Sequence, residues 1–185
     1  DIGKGDMTCI WFHQKVQQEN WFIHYYEASG EDLDHYAQHL QGTKYIFGTH
    51  YLPHEAAHKR IGKDPDHNQS TQENLEEVMP GQRFEIVSQV TRLIAGINST
   101  RKQLSTCRFS EQGCRQGLKR LGGYRKGWDK TRACWTDNHV HNDDSHGADA
   151  FRQLGQVADT GETFAVVAAR ETKRSGARRP SNWRL

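Results

Sequence analysis

Acidic side chains near the carboxyl end of the chain have the type and spacing of a site for a divalent cation. Asp143 and Asp144 precede Ser145, whose hydroxyl could cap a helix by accepting from the amides of the first turn. Asp149 would then lie just inside that helix, close to carboxylates whose oxygens are ligands that Mg2+ prefers. The alternative is an ordinary amphipathic helix with a solvated acidic approach.

Two further acids stand where other elements are expected to end. Glu55 follows the β-prone run Tyr45–Leu52, and active residues of open α/β sheets gather at strand ends. Asp1 lies where a preceding strand would end, so we expect the sequence to come from a longer protein. Converged carboxylates can hold two ions that clamp the attacking and leaving oxygens of a phosphodiester. Asp1, Glu55 and Asp149 are therefore candidate metal ligands, while an ordinary helix-start glutamate is the alternative for Glu55.

The formal net charge of +2 hides a strong segregation of charge along the chain. Residues 101–132 carry 10 basic and 2 acidic side chains, whereas residues 1–100 carry 8 and 14 and residues 133–169 carry 1 and 6. Such alternation can place an acidic pocket beside a basic surface, as an enzyme that acts on a polyanion requires. Solvated charged faces are the alternative. The basic side chains predicted to seat a DNA backbone are Lys59, Arg60, Arg115, Lys119, Arg120, Arg125 and Lys126.

Apolar patterning predicts an α/β chain with a mixed sheet. Met7–Phe12 and Trp21–Tyr26 are predicted as an antiparallel hairpin, and Leu33–Leu40 follows as a helix. The strand Tyr45–Leu52 comes next, and the order strand, helix, strand implies at least one parallel pairing. Asp64–Gln72 is predicted as a polar loop. The remaining predicted elements are a strand at Phe84–Val87, a helix at Val90–Leu104, a strand at Cys107–Phe109 and a helix at Ser110–Leu121.

Length and composition restrict the class of protein further. The 185 residues fit one domain with a core of its own. No apolar run approaches the ~20 residues that span a bilayer and no secretory signal is evident, so we expect a soluble cytosolic protein without a membrane segment. The four cysteines form no C-x-x-C pair. Zinc binding by Cys107 and Cys114 with the histidines near His139 and His141 is an alternative that the ligand spacing disfavours.

Four strings of the sequence resemble the successive motifs of a known family. They are DIGKGDMTCIWF, YIFGTHYLPHEAAHKRIG, SQVTRLIAGINSTRKQL and NDDSHGADAFRQL. Together they look like the nuclease domain of the terminase large subunits of tailed bacteriophages, the DNA-packaging motors. The resemblance extends from Asp1 to about Leu154, and its most specific piece is the closing D-x-S-H-x-A-D-A-F-R.

The resemblance implies a fold similar to ribonuclease H and the RuvC resolvases, a mixed central sheet flanked by helices on both faces. Asp1, Glu55 and Asp149 match the family's three metal-binding acids, although many members have aspartate where this chain has Glu55. Asp144 matches a flanking position that would also bind metal. Asp143 and His146 would support the site. The implied cofactor is one or two Mg2+ or Mn2+ ions.

The resemblance also implies a domain organisation and partners. Residues 1–160 would form the nuclease domain and residues 161–185 a flexible basic tail, with an ATPase domain preceding both in the full-length protein. Double-stranded DNA would be the substrate, and the portal protein and the small terminase subunit would be partners in the host cell cytoplasm.

The expected function is that of a metal-dependent endonuclease which cuts concatemeric viral DNA during packaging. A Holliday-junction resolvase or a ribonuclease H-type nuclease of the same fold is one alternative. A non-catalytic module that docks onto the portal or the small terminase subunit is another.

Overall fold

A computed structural model describes most of the chain, and the structural statements below concern those residues. They are residue 2 and residues 6–59, 69–90 and 92–159. Asp1, Arg60 and the predicted basic tail at 161–185 lie outside the described residues, so the predictions made for them stay predictions.

The described chain is a mixed α/β structure. Its strands are β1 (Met7–Val16), β2 (Glu19–Ser29), β3 (Thr49–Leu52), β4 (Arg83–Ile86), β5 (Cys107–Phe109), β6 (Lys126–Asp129) and β7 (Cys134–His139). Its α-helices are α1 (Leu33–Gln41), α2 (Thr71–Val78), α3 (Leu93–Gln103), α4 (Arg115–Gly123) and α5 (Asp143–Asp159). Short 3-10 helices lie at His54–Ala57 and Leu104–Thr106.

The strands form three small sheets, where the sequence predicted one central sheet. β1 and β2 pair antiparallel as predicted, and β5 adds to β2 in parallel to give a mixed sheet of three strands. β3 and β4 form a parallel pair, and β6 and β7 an antiparallel hairpin. β1 and β3 are outer strands, and both border a groove of about 850 Å³ lined largely by apolar side chains. Within the described residues, no strand joins these two edges.

Polar caps decide where the early helices begin. The Asp32 carboxylate accepts from the amide of His35 at 2.9 Å, which fixes the start of α1. At α2, Ser70 and Glu73 form a reciprocal capping box, with each side chain accepting from the other's backbone amide. Helix α2 therefore begins at Thr71, so the predicted polar loop at Asp64–Gln72 is wrong at its carboxyl end, and residues 64–68 of that loop lie outside the described residues.

Helix α5 joins the other elements through the core. Phe151 and Leu154 are buried with Phe22, Cys107 and Cys114 in one of two hydrophobic clusters. The indole Nε1 of Trp11 on β1 donates to the carbonyl of Gly147 at 3.0 Å. These contacts hold the acidic start of α5 beside β1. Across the described part of the chain, no helix is long and apolar enough to cross a bilayer.

Candidate active site

Glu55 and Asp149 line the same cleft, although they lie 94 positions apart in sequence. The cleft has a volume of about 270 Å³ and is also lined by Arg152 and Gln156. Glu55 comes from the 3-10 helix that follows β3, and Asp149 comes from α5. The two side chains therefore border one cleft, and their predicted role as metal ligands stays a prediction.

The backbone of Glu55 is held at the cleft by the burial of the next residue, Ala56, and not by burial of the Glu55 side chain. Ala56, the next residue of the 3-10 helix, is 3% exposed and packs in the core cluster around Phe12. The Glu55 side chain is 64% exposed, and its Oε2 lies 3.0 Å from Nδ1 of His54. This carboxylate is therefore largely in solvent and has His54 as its neighbour.

Asp149 is more enclosed and already has a cationic neighbour. Its side chain is 25% exposed, and Oδ1 accepts from Nε and Nη2 of Arg152 at 3.2 and 3.1 Å. Its Oδ2 lies 3.9 Å from Nε2 of His139. Two carboxylates at one cleft are a donor set that suits Mg2+ or Mn2+, but such an ion would share Asp149 with Arg152.

Three residues beside Asp149 were not predicted from the sequence to share its site. Arg152 could have been found, because a residue three positions along a helix lies on the same face. His139 and Tyr124 carry no such signal, since they come from β7 and from the end of α4. His139 Nδ1 and the Tyr124 hydroxyl are buried with no hydrogen-bond partner among the described residues. Burial, with the nearby Asp149 charge adding to it, raises the pKa of Tyr124.

Asp143 and Asp144 lie against Arg120 instead of in the cleft. Arg120 Nη1 is 3.4 Å from an Asp144 oxygen, and its Nη2 is 3.5 Å from an Asp143 oxygen. The same guanidinium binds Glu27 on β2, with contacts of 2.7 and 3.0 Å. Burial raises the pKa of Glu27, but hydrogen bonds from Arg120, Tyr25 and Gln116 outweigh burial and leave that pKa below its ordinary value.

The start of α5 differs from the predicted one. Asn142 is the N-cap, because its Oδ1 accepts from the amide of Ser145 at 3.2 Å. Ser145 lies three residues further on, fully buried, and its hydroxyl oxygen accepts from the Asn142 amide at 3.1 Å. The prediction of Ser145 as the N-cap is wrong, and Asp143 and Asp144 therefore occupy the first turn of the helix.

The predicted DNA-binding cations fall into three settings. Arg115 and Lys119 are exposed on α4, and Arg125 and Lys126 are exposed around the start of β6. Lys59 lies 3.5 Å from a carboxylate oxygen of Glu73, both on the surface. Arg120, in contrast, is only 14% exposed and is committed to the carboxylates described above.

The β6–β7 hairpin presents two aromatic rings beside these cations. Trp128 and Trp135 are 49% and 62% exposed, and their rings meet edge to face with centroids 5.0 Å apart. Exposed aromatic faces can stack with nucleic-acid bases. The opposite end of the hairpin, at His139, lies next to Asp149, and the two tryptophans lie toward the turn.

The last predicted site residue, His146, lies in a different cluster. Its ligand nitrogen is within 4.8 Å of ligand atoms of Asp6 and His141. Cys107 and Cys114 are buried in the core, where burial raises the pKa of each thiol to about 11.

Comparison of the chain with protein-family models, with curated proteins and with solved structures finds no match.

Proposed function

We propose that this chain is a ribonuclease H-like nuclease domain of a terminase large subunit. In this proposal it cuts concatemeric viral DNA during genome packaging in the host cell cytoplasm. The observation that supports it is the cleft shared by Glu55 and Asp149, two acids that lie far apart in sequence. The proposed partners are double-stranded DNA, the portal protein, the small terminase subunit and an ATPase domain that precedes Asp1.

The proposed chemistry is metal-assisted hydrolysis of a phosphodiester. Glu55 and Asp149, together with Asp1, would hold one or two Mg2+ or Mn2+ ions. A bound ion supplies an activated hydroxide and neutralises charge that develops on the phosphate. Arg152 orients the Asp149 carboxylate. Its guanidinium would add to the positive charge of the bound metal at the cleft, where the scissile phosphate would lie.

The proposed DNA path follows the exposed cations. Arg115 and Lys119 on α4 would contact phosphates, and so would Arg125 and Lys126 at the hairpin. Because the hairpin joins His139 beside Asp149, DNA bound along it would pass close to the cleft.

Plasmid digestion with Mg2+ or Mn2+ tests the proposal. Asp149→Asn and Glu55→Gln should each slow cleavage by at least about 100-fold, because each removes a charged metal ligand. Glu76→Gln, which changes an exposed carboxylate on α2, is the matched control and should cut like the parent. Circular dichroism would verify that every variant is folded.

Other outcomes would replace the proposal. Parent-like cleavage by Asp149→Asn would show that the cleft is not the active site. Much faster cleavage of branched DNA or of an RNA–DNA hybrid than of plain duplex would favour a resolvase or a ribonuclease H. Absence of cleavage in every metal, together with measured binding to the portal protein or small terminase subunit, would favour the docking module.

A further inference from the structure

The start of α5 carries a second group of potential metal ligands, made of Asp6, His141 and His146. Each offers one ligand atom, and the three atoms lie within 4.8 Å of one another. None of these three described residues lines the cleft of Glu55 and Asp149. We propose that this group, the Asp6 cluster, binds one divalent transition-metal ion of the zinc class.

The geometry of the helix start brings the two histidines together. Asn142 is the N-cap of α5, so His141 immediately precedes the cap and His146 is the fourth residue of the helix. Side chains at these two positions commonly pack against each other at helix starts. Here both are imidazoles, with ring centroids 4.9 Å apart and planes at 73°. A contact that is usually apolar therefore places two ligand rings side by side.

The third ligand arrives through the packing of β1 on α5. Asp6 immediately precedes β1, and the Trp11 to Gly147 hydrogen bond of 3.0 Å fixes that strand against the first turns of α5. The N-terminus of a helix disfavours cations. The Asp6 carboxylate supplies negative charge that offsets this effect.

The donor set indicates the kind of ion. Two imidazole nitrogens and one carboxylate oxygen suit zinc and its neighbours, whereas Mg2+ takes oxygen ligands. Tetrahedral zinc with bonds near 2.1 Å needs ligand atoms roughly 3.4 Å apart. Asp6 and His141 are exposed, so side-chain rotation can close the remaining distance. His141 Nδ1 lies 3.5 Å from the Ser145 hydroxyl, a contact of the kind that orients a ligand imidazole.

A bound ion would have a structural effect. It would join the residue before β1 to the first turn of α5, one helical turn ahead of Asp149. The inference does not depend on the proposed nuclease activity, because binding alone defines it.

The test is metal titration of the whole chain carrying Cys134→Ser, because the exposed Cys134 thiol would itself bind zinc. Calorimetry with Zn2+ should give one ion per chain, bound at least about 100-fold more tightly than Mg2+. His141→Ala and His146→Ala should each weaken Zn2+ binding by at least about 10-fold. His35→Ala on α1 is the control and should leave it unchanged. Co2+ should give visible absorption that the same two variants abolish.

Two results would overturn the inference. One is a folded His141→Ala/His146→Ala double variant that binds Zn2+ with the parent's stoichiometry and affinity. The other is a parent chain that binds no Zn2+ at concentrations up to about 100 μM. Both readouts are independent of DNA cleavage, so a failure here is distinguishable from a failure of the proposed nuclease function.

Discussion

Replacing Arg120 by alanine separates a structural role for this residue from a DNA-binding one. Arg120 was predicted to contact DNA, yet its guanidinium is 14% exposed and binds Glu27, which is 16% exposed. Removing one partner of a buried ion pair costs about 3–5 kcal/mol, because the other charge stays buried without compensation. Glu27 would keep its hydrogen bonds from Tyr25 and Gln116, so we expect a smaller loss of about 2–3 kcal/mol.

Urea unfolding followed by circular dichroism measures this loss. In thermal unfolding of a chain of this size, the same loss should lower the Tm by roughly 4–12 °C. Lys119→Ala is the matched control, since Lys119 neighbours Arg120 on α4 but is exposed, and it should change the free energy of unfolding by less than about 0.5 kcal/mol. The affinity for duplex DNA should fall in the Lys119→Ala variant. A folded Arg120→Ala variant should lose no more affinity than the Lys119→Ala variant does.

The pH dependence gives a second measurement on the same pair. The folded-state pKa of Glu27 is depressed below its ordinary value of 4.5. Its contribution to stability is therefore present above that value and is lost as the pH falls through the depressed pKa. The stability difference between the parent and Arg120→Ala should shrink at acid pH. Arg120→Ala with parent stability at neutral pH, or with a difference that grows on acidification, would refute the structural role.

Three further substitutions and one control test the packing around α5 and α4. Phe151→Ala removes a ring that is 3% exposed and should cost about 3–5 kcal/mol in urea unfolding. Ser145→Ala deletes the buried hydroxyl of the α5 cap and should cost about 1–2 kcal/mol by the same measurement. Gly117→Ala should cost about 1–3 kcal/mol, because the added Cβ would overlap the Trp11 indole. Gly122→Ala on the same helix is the control. Its added Cβ meets open space, so this variant should be neutral or stabilising in thermal unfolding.

Elements with strong local signals were predicted correctly from the sequence. The hairpin of β1 and β2, helix α1 and the short strand β5 are confirmed, because alternation and capping residues determine them within a few positions. Helix α2 was missed although its S-x-x-E signature, Ser70 to Glu73, is present in the sequence. The start of α5 was misplaced because Asn142 and Ser145 are both capping types, and only their reciprocal hydrogen bonds decide between them.

Sheet partners and the roles of charged side chains depend on contacts that are distant in sequence. The sequence does not show that β1 and β3 both border one groove, since strand order arises from pairing across the whole fold. Arg120 and Lys119 are neighbouring cations with similar local sequence. Only the packing of α4 against β2 makes one a largely enclosed ion-pair partner and leaves the other in solvent.

Arg152 sets the charge balance of the cleft in the proposed nuclease. Glu55 and Asp149 contribute two negative charges to its lining, and the Arg152 guanidinium offsets one of them by holding one oxygen of Asp149. In the proposed nuclease, an ion in the cleft would take the exposed Glu55 carboxylate and the second Asp149 oxygen as ligands, which would leave the contact of Arg152 with the first Asp149 oxygen in place. With a divalent ion beside Arg152, the charge at the cleft changes from negative to positive. If the proposal is correct, the cleft would attract a phosphate only with metal bound, so we expect the affinity for DNA, and not only the cleavage rate, to depend on Mg2+ or Mn2+.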